Sequence, residues 1–282
     1  MQLAQRVTAT RSNLPPLARI GERYRNLTEI GSGGFSTVYR ATDNTNGREV
    51  AIKTPKTDRQ ESIMTITVER DALSRIRHQN VVTLLNSGLE NEIPFLVLEY
   101  LSGSTLRREM VTGLPKSRVF EILVELTNAL TAVHQAGIVH RDLKPENIMA
   151  TAESRITLFD FGAACGRAIP SLSNRYASVQ YMAPEIPTGM PIGITADIYA
   201  LGIIGHELLC WEAPFTGDSS AEVVKKHIFQ PPPSIAEMRP DLQVSSGVEA
   251  ILSRALAKNP RNRFQSALEM REALLTNAAW FE

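Results

Sequence analysis

The sequence predicts an α+β chain in two unequal parts, a β-rich front portion ending near Ser102-Gly103 and a larger, mainly helical remainder. Three observations carry this. Between Tyr24 and Tyr100, short β-branched and aromatic runs are separated by Gly, Asn and Asp, the pattern of strands joined by turns. Beyond Gly103 the apolar residues recur at helical spacing. The length, 282 residues, is long for one compact core and comfortable for two.

In chain order, Tyr24 to Ile30 and Thr37 to Thr42 read as strands flanking Gly31-Ser32-Gly33-Gly34-Phe35-Ser36. Asp43 to Gly47 is a turn by composition, and Glu49 to Lys53 is a third strand. A helix is expected over Ser62 to Ile76, although its β-branched run from Ile63 to Val68 forms helix poorly. Strands at Val81 to Leu85 and Phe95 to Tyr100 complete a small lobe of five strands and one helix. Val119, Ile122, Leu123, Leu126, Leu130 and Val133 then line one face of a helix over Lys116 to Gln135. From Ile198 to Leu209 apolar residues surround the helix on nearly all sides, as in a buried central helix. Val248, Ile251, Leu252, Ala255 and Leu256 form another helical face, and Gln265 to Leu275 is a last helix. Pro231, Pro232 and Pro233 mark an extended connector.

Composition narrows the function. With 43% hydrophobic and 21% charged residues and a formal net charge of zero, nothing points to nucleic acid or an anionic membrane surface. No window approaches the roughly 18 apolar residues of a membrane span. Two cysteines, Cys165 and Cys210, make no disulfide framework, so a cytoplasmic location is expected. Residues 1–22, with Arg6, Arg11 and Arg19 and no apolar core, read as a flexible arm and not as a signal peptide.

Two stretches carry chemistry. The glycine-rich run at Gly31 to Ser36 passes directly into Thr37-Val38-Tyr39, so it predicts a hairpin flap. A dinucleotide-binding turn would open a helix there. Lys53 follows Val50-Ala51-Ile52 in an apolar strand, where a buried ammonium needs an anion. The second stretch, His140-Arg141-Asp142-Leu143-Lys144-Pro145-Glu146-Asn147-Ile148-Met149, lies between the long helix and a short β-pattern. It holds a carboxylate, an ammonium and a carboxamide at fixed offsets, suited to positioning a hydroxyl, a phosphate and a metal ion. Asp160-Phe161-Gly162 follows closely. Singly, each has an ordinary explanation: a loop cap for Asp142, a ligand-free hairpin for the glycines, core packing for the apolar residues.

Together, His140 to Asn147, Asp160-Phe161-Gly162, Ala183-Pro184-Glu185 and the glycine loop with Lys53 resemble the eukaryotic-type (Hanks-type) serine/threonine protein kinase family, in a bacterial or phage-like style. The resemblance covers Tyr24 to Leu275. It implies a two-lobed fold, with a five-stranded antiparallel sheet and one helix in residues 23–101, a mainly helical lobe in 102–276, and a tail at 277–282. It implies ATP and Mg2+ (or Mn2+) as cofactors, protein substrates, and transfer of the γ-phosphate to Ser or Thr hydroxyls. On this basis Asp142 is the catalytic base and Lys144 neutralises the transferring phosphoryl group. Asn147 and Asp160 hold the metal, and Lys53 contacts phosphates while pairing with Glu69, with Glu61 as the competing carboxylate. Gly31, Ser32, Gly33, Gly34, Phe35 and Ser36 cover the phosphates; Ser36 replaces the third glycine of the family pattern. Ile30, Val38 and Ala51 roof the adenine slot, Met149 is its floor, Leu98 its back, and Glu99-Tyr100-Leu101 its hinge. His140 and Phe161 are expected to stack with Leu73 and Leu84 in an apolar column.

Regulation is also implied. Arg141 beside the catalytic aspartate resembles kinases switched by a phosphate on the segment Asp160 to Glu185, which contains no threonine. Ser171, Ser173 and Ser178 are the phosphosite candidates, with Tyr176 behind them, and autophosphorylation in trans by another copy is the expected route. Arg263 resembles the arginine that pairs with Glu185, and Asp197 the aspartate that holds the catalytic loop. Cys165 follows Asp160-Phe161-Gly162 and reads as a small packing residue. The rival readings are a pseudokinase scaffold that binds nucleotide without transfer, and a small-molecule phosphotransferase, which lacks a complete Ala-Pro-Glu segment.

Overall fold

The computed structural model describes residues 20–164 and 176–282. They form two compact units. One takes the chain up to Arg70 together with Leu84–Tyr100; the other takes Asp71–Thr83 together with Leu101–Glu282.

The first unit is a five-stranded antiparallel sheet of order β1-β2-β3-β5-β4, built from β1 (Tyr24–Ser32), β2 (Ser36–Asp43), β3 (Arg48–Pro55), β4 (Leu84–Glu90) and β5 (Ile93–Glu99). Residues directly opposite in antiparallel strands share a face, so the register sorts the side chains. Tyr24, Ala41, Val50, Ile52, Phe95 and Val97 fall on one face and form a buried cluster with Ile20. Ile20 bridges to Tyr24, so the last residues of the stretch expected as an arm belong to this fold. Helix α1 (Gln60–Leu73) forms despite its β-branched run. The Thr65 and Thr67 hydroxyls donate back to the carbonyls of Glu61 (2.9 Å) and Ile63 (3.1 Å), which satisfies them within the helix. It stops three residues earlier than expected, at Leu73, because Arg75 and Ile76 N–H donate to Ala72 and Leu73 carbonyls in a tighter turn.

The strand expected at Val81 to Leu85 is displaced. Val81 and Val82 are buried in the second unit, where the Val82 N–H donates to the Leu158 carbonyl at 2.9 Å. The strand proper runs Leu84–Glu90 at the sheet edge. Its exposed positions are Leu85, Ser87 and Leu89, and an edge strand can carry such weak β-formers as Asn86, Ser87 and Gly88. The last strand lies two residues earlier than expected at its start and one at its end.

The second unit is mainly helical. Helix α2 (Leu106–Glu109) follows the short strand β6 (Gly103–Thr105), and α3 (Lys116–Gln135) has the predicted bounds and apolar face. Strands β7 (Ile148–Thr151) and β8 (Ile156–Leu158) pair in the order β6-β7-β8. Helix α4 (Thr195–Cys210) is buried along its length from Ala196. Two glycines let its neighbours approach. A Cβ on Gly202 would lie 2.9 Å from Ala255 Cβ, and one on Gly205 2.9 Å from Leu252 Cδ2, so α7 (Ser246–Ala255) packs almost backbone to side chain. Helices α5 (Ser220–Phe229) and α6 (Ile235–Met238), capped by Ser219 and Ser234, flank the proline connector. Neither was anticipated from periodicity. The last helix, α8 (Ala267–Thr276), starts after the Ser266 cap. Residues 277–282, expected as a tail, are docked: Phe281 is 2% exposed and stacks 5.1 Å from Phe120, while Lys116 Nζ donates to the Trp280 carbonyl at 2.9 Å. No helix among the described residues is long and apolar enough to cross a membrane.

Candidate active site

In the second unit, the loop after α3 gathers three of the predicted groups. Lys144 Nζ donates to Asp142 Oδ2 at 2.8 Å. The Asn147 amide donates to the Asp142 carbonyl at 2.8 Å and to Oδ2 at 3.0 Å. A carboxylate flanked by an ammonium and an amide is held in one rotamer by charge-assisted bonds. Pro145 opens a single 3₁₀ turn, Pro145–Asn147, that sets the offset between the lysine and the asparagine. With its NH₂ committed to Asp142, the Asn147 amide has its oxygen left as the donor atom for a hard cation.

Two residues here adopt positive φ without being glycine: Arg141 (67°) and Asp160 (65°). Such a conformation costs on the order of 1–2 kcal/mol and persists only where the surroundings over-determine it. At Arg141 the clamp is Asp197, near the start of α4. Its Oδ1 accepts the Arg141 N–H at 2.9 Å and its Oδ2 the His140 N–H at 2.8 Å. His134, on the last turn of α3, holds the same carboxylate at 2.9 Å. Burial pushes the Asp197 carboxyl up, but the His134 bond and charge, His140 and the Arg141 N–H outweigh it and hold the pKa below its ordinary value. The Asp197 expectation thus has its geometry. His134 was missed, because nothing distinguishes it locally from the end of an amphipathic helix.

The hairpin β7–β8 brings Asp160 towards Asn147. Ile148 pairs with Leu158, and the Phe159 N–H donates to the Asn147 carbonyl at 3.0 Å. Met149 sits on β7, half-buried. His140 is fully buried and its ring stacks edge-on against Phe161 at 4.6 Å. Its Nδ1 accepts the Asp142 N–H (3.3 Å), which leaves Nε2 to donate to the Phe159 carbonyl (3.3 Å). Burial lowers its pKa, so the ring is neutral and both nitrogens are engaged. His140 is a packing and orienting residue, not a base.

In the first unit the register places Gly31, Val38, Ala51, Lys53 and Leu98 on the sheet face opposite the buried cluster. Lys53 Nζ meets Glu69 Oε2 at 2.5 Å with both side chains nearly sealed from solvent, while Glu61 stands exposed in the first turn of α1. Geometry thus selects Glu69. The glycine loop is a hairpin tip, closed by the Gly33 N–H to the Ser36 carbonyl at 2.8 Å, and Lys56 Nζ caps the Gly33 carbonyl at 2.9 Å. A Cβ on Gly31 or Gly34 would meet nothing within 4 Å, and neither has positive φ. The chain's own packing does not demand glycine there. Ile30 is half exposed, Ser32 is exposed, Phe35 is half-buried, and Glu99 closes β5 ahead of Leu101.

The late arginine is found where expected. Arg263 is fully buried, with Nη1 and Nη2 on Glu185 Oε1 and Oε2 at 2.7 and 2.8 Å, and it also donates to the Ala257, Thr195 and Lys258 carbonyls. Ser171, Ser173 and Cys165 lie outside the described residues. Tyr176 and Ser178 belong to the 3₁₀ segment Tyr176–Tyr181, but their side chains lie outside what the structure describes.

A sheet unit with a buried Lys–Glu pair and a helical unit carrying the loop His140 to Asn147 with Asp160-Phe161-Gly162 are the parts of a protein kinase. A family model described as "Protein kinase domain" matches residues 24–276, and the chain belongs to that family. Its relatives include a probable serine/threonine-protein kinase of Streptomyces coelicolor, 34% identical over 267 residues, which covers 90% of this chain and 39% of the relative. Serine/threonine-protein kinase PknB of Mycobacterium tuberculosis is 33% identical over 272 residues, covering 92% of this chain and 43% of the relative. Serine/threonine-protein kinase PrkC of Bacillus subtilis is 35% identical over 266 residues, covering 92% and 41%. The chain spans about two-fifths of the length of the curated relatives it matches.

Proposed function

We propose that this chain is a cytoplasmic ATP-dependent serine/threonine protein kinase that phosphorylates protein hydroxyls. The observation that carries the reading is the Asp142 carboxylate held between Lys144 and Asn147. In this reading Asp142 accepts the hydrogen bond, and then the proton, of a Ser or Thr hydroxyl and aims its oxygen at the γ-phosphorus. Lys144 moves its charge from Asp142 to the transferring phosphoryl group. Lys53, oriented by Glu69, holds phosphates of the bound nucleotide, and the unfilled space at Gly31 and Gly34 lets backbone N–H groups approach them closely. Val38, Ala51 and Leu98 give the base an apolar face. The oxygen donors of Asn147 and Asp160 suit a divalent cation, Mg2+ by their hardness. That cation, when bound, neutralises phosphate charge.

The relatives, named as serine/threonine-protein kinases, support serine/threonine specificity. Autophosphorylation in trans, at Ser171 or Ser173, is the proposed route of activation, with Arg141 as reader of the phosphate. The test is transfer of labelled γ-phosphate by the purified protein and by Asp142→Ala, followed by mass spectrometry of the peptides spanning Ser171 and Ser173. Loss of about a hundredfold or more is expected for the variant. Equal incorporation by the two proteins would defeat the enzyme reading in favour of a nucleotide-binding scaffold. Active protein without phosphate on either serine would defeat the regulatory part alone.

A further inference from the structure

Arg107, on the short helix α2, was not singled out by any motif, yet its guanidinium serves three other elements of the second unit. Nε donates to Glu146 Oε1 at 2.7 Å, Nη1 to Glu207 Oε1 at 2.7 Å, and Nη2 to the Tyr181 hydroxyl. The Tyr181 hydroxyl in turn donates to Glu207 Oε2 at 2.5 Å, which closes the cluster. These partners lie 39, 100 and 74 residues away in sequence. Glu146 is the middle residue of the turn Pro145–Asn147, between Lys144 and Asn147, whose side chains both grip Asp142. Burial works against the charge on Arg107, but Glu207 and Glu146 overcome it and raise the pKa, so the group is a permanent cation. Without it, two carboxylates would face each other beside the catalytic loop, one of them on the mostly buried Glu207. Arg107 also lines a cavity of ≈ 370 Å³ with Met110, Val111, Leu208 and Trp211, and its side chain is 34% exposed.

We infer that Arg107 is a positioning residue for the reaction: it fastens the outer side of the Pro145–Asn147 turn to α4 and to Tyr181, so that Lys144 and Asn147 stay in register on Asp142. The inference rests on the kinase reading. A lysine cannot replace it, because its three N–H groups share one nitrogen, whereas the guanidinium spreads its donors over three nitrogens, each aimed at a different partner.

The experiment is chemical rescue, with wild-type transfer activity as the check on the kinase reading itself. Arg107→Ala is expected to lower kcat about tenfold or more, as displaced reacting groups do, while KM for ATP stays within about twofold. Methylguanidinium, entering through the cavity, should restore kcat several-fold in Arg107→Ala and not in wild type, with potassium chloride at equal ionic strength as the control. Arg107→Lys should remain impaired. Wild-type kcat in Arg107→Ala would overturn the inference. So would a loss that methylguanidinium does not reverse, since the residue would then be merely structural. An inactive wild type would remove the kinase reading instead.

Discussion

Arg263→Ala tests how far the second unit depends on one buried ion pair. The guanidinium and the Glu185 carboxylate are 0% and 1% exposed and joined by two parallel bonds. Removing the arginine strands a carboxylate in the interior, which by itself costs about 3–5 kcal/mol. The three carbonyls of Ala257, Thr195 and Lys258 also lose a donor. The Tyr199 ring loses the cation stacked 4.7 Å from its centre. Water entering the vacated space can pair the carbonyls again, so the ion pair dominates and a loss of about 5 kcal/mol is expected. For a domain of this size that corresponds to a fall in Tm of about 10–20 °C, readable by circular dichroism. Arg263→Ala combined with Glu185→Ala should be more stable than the sum of the single effects, because no charge is then stranded. A Tm within about 2 °C of wild type for Arg263→Ala, or strict additivity in the double variant, would refute the reasoning.

Two further outcomes follow from the geometry. Glu69→Ala should reduce phosphate transfer by about tenfold or more, since Lys53 loses its partner. Glu61→Ala should change stability by no more than about 0.5 kcal/mol, the worth of an exposed first-turn charge, and leave transfer intact; equal effects in the same assay would reject the assignment. His227, buried among Tyr199, Phe215 and Lys258, has its pKa pushed down to about 4, first by burial and then by the Lys258 charge. Its unfolded form binds a proton near pH 6.5, so its contribution is complete above that pH and is lost as pH falls through the folded value. Between pH 7 and pH 5 this one group should remove about 2 kcal/mol. Denaturant titrations of wild type and His227→Gln should show a shallower pH dependence in the variant, and parallel curves would reject it.

The chemistry of this chain was legible wherever it is encoded in short spacing. Asp142, Lys144 and Asn147 are separated by two and three residues, and one proline-led turn converts that spacing into a constellation. The glycine loop was legible as a hairpin because Thr37-Val38-Tyr39 cannot readily open a helix. Long helices such as α3 declared themselves by period. The edge strand β4 did not, because an edge position relaxes the demand for β-branched residues that the reading relied on, and Val81 and Val82 are apolar for a different unit's sake. The threonine-rich α1 shows the converse, with helix propensity overridden by packing and by hydroxyls bonded within the helix.

The sequence by itself determined which functional groups are present, their order and their local offsets, because these are properties of covalent spacing and side-chain type. Only the tertiary structure decided what holds them. Asp197 and His134 over-determine a left-handed Arg141 from α4 and α3. Glu69, not Glu61, reaches Lys53 because α1 presents that residue to β3. Arg107 finds Glu146, Tyr181 and Glu207 across the second unit. Such partners are chosen by proximity after folding, and a hydrogen bond or ion pair spanning tens of residues leaves no period in the chain from which it could be read.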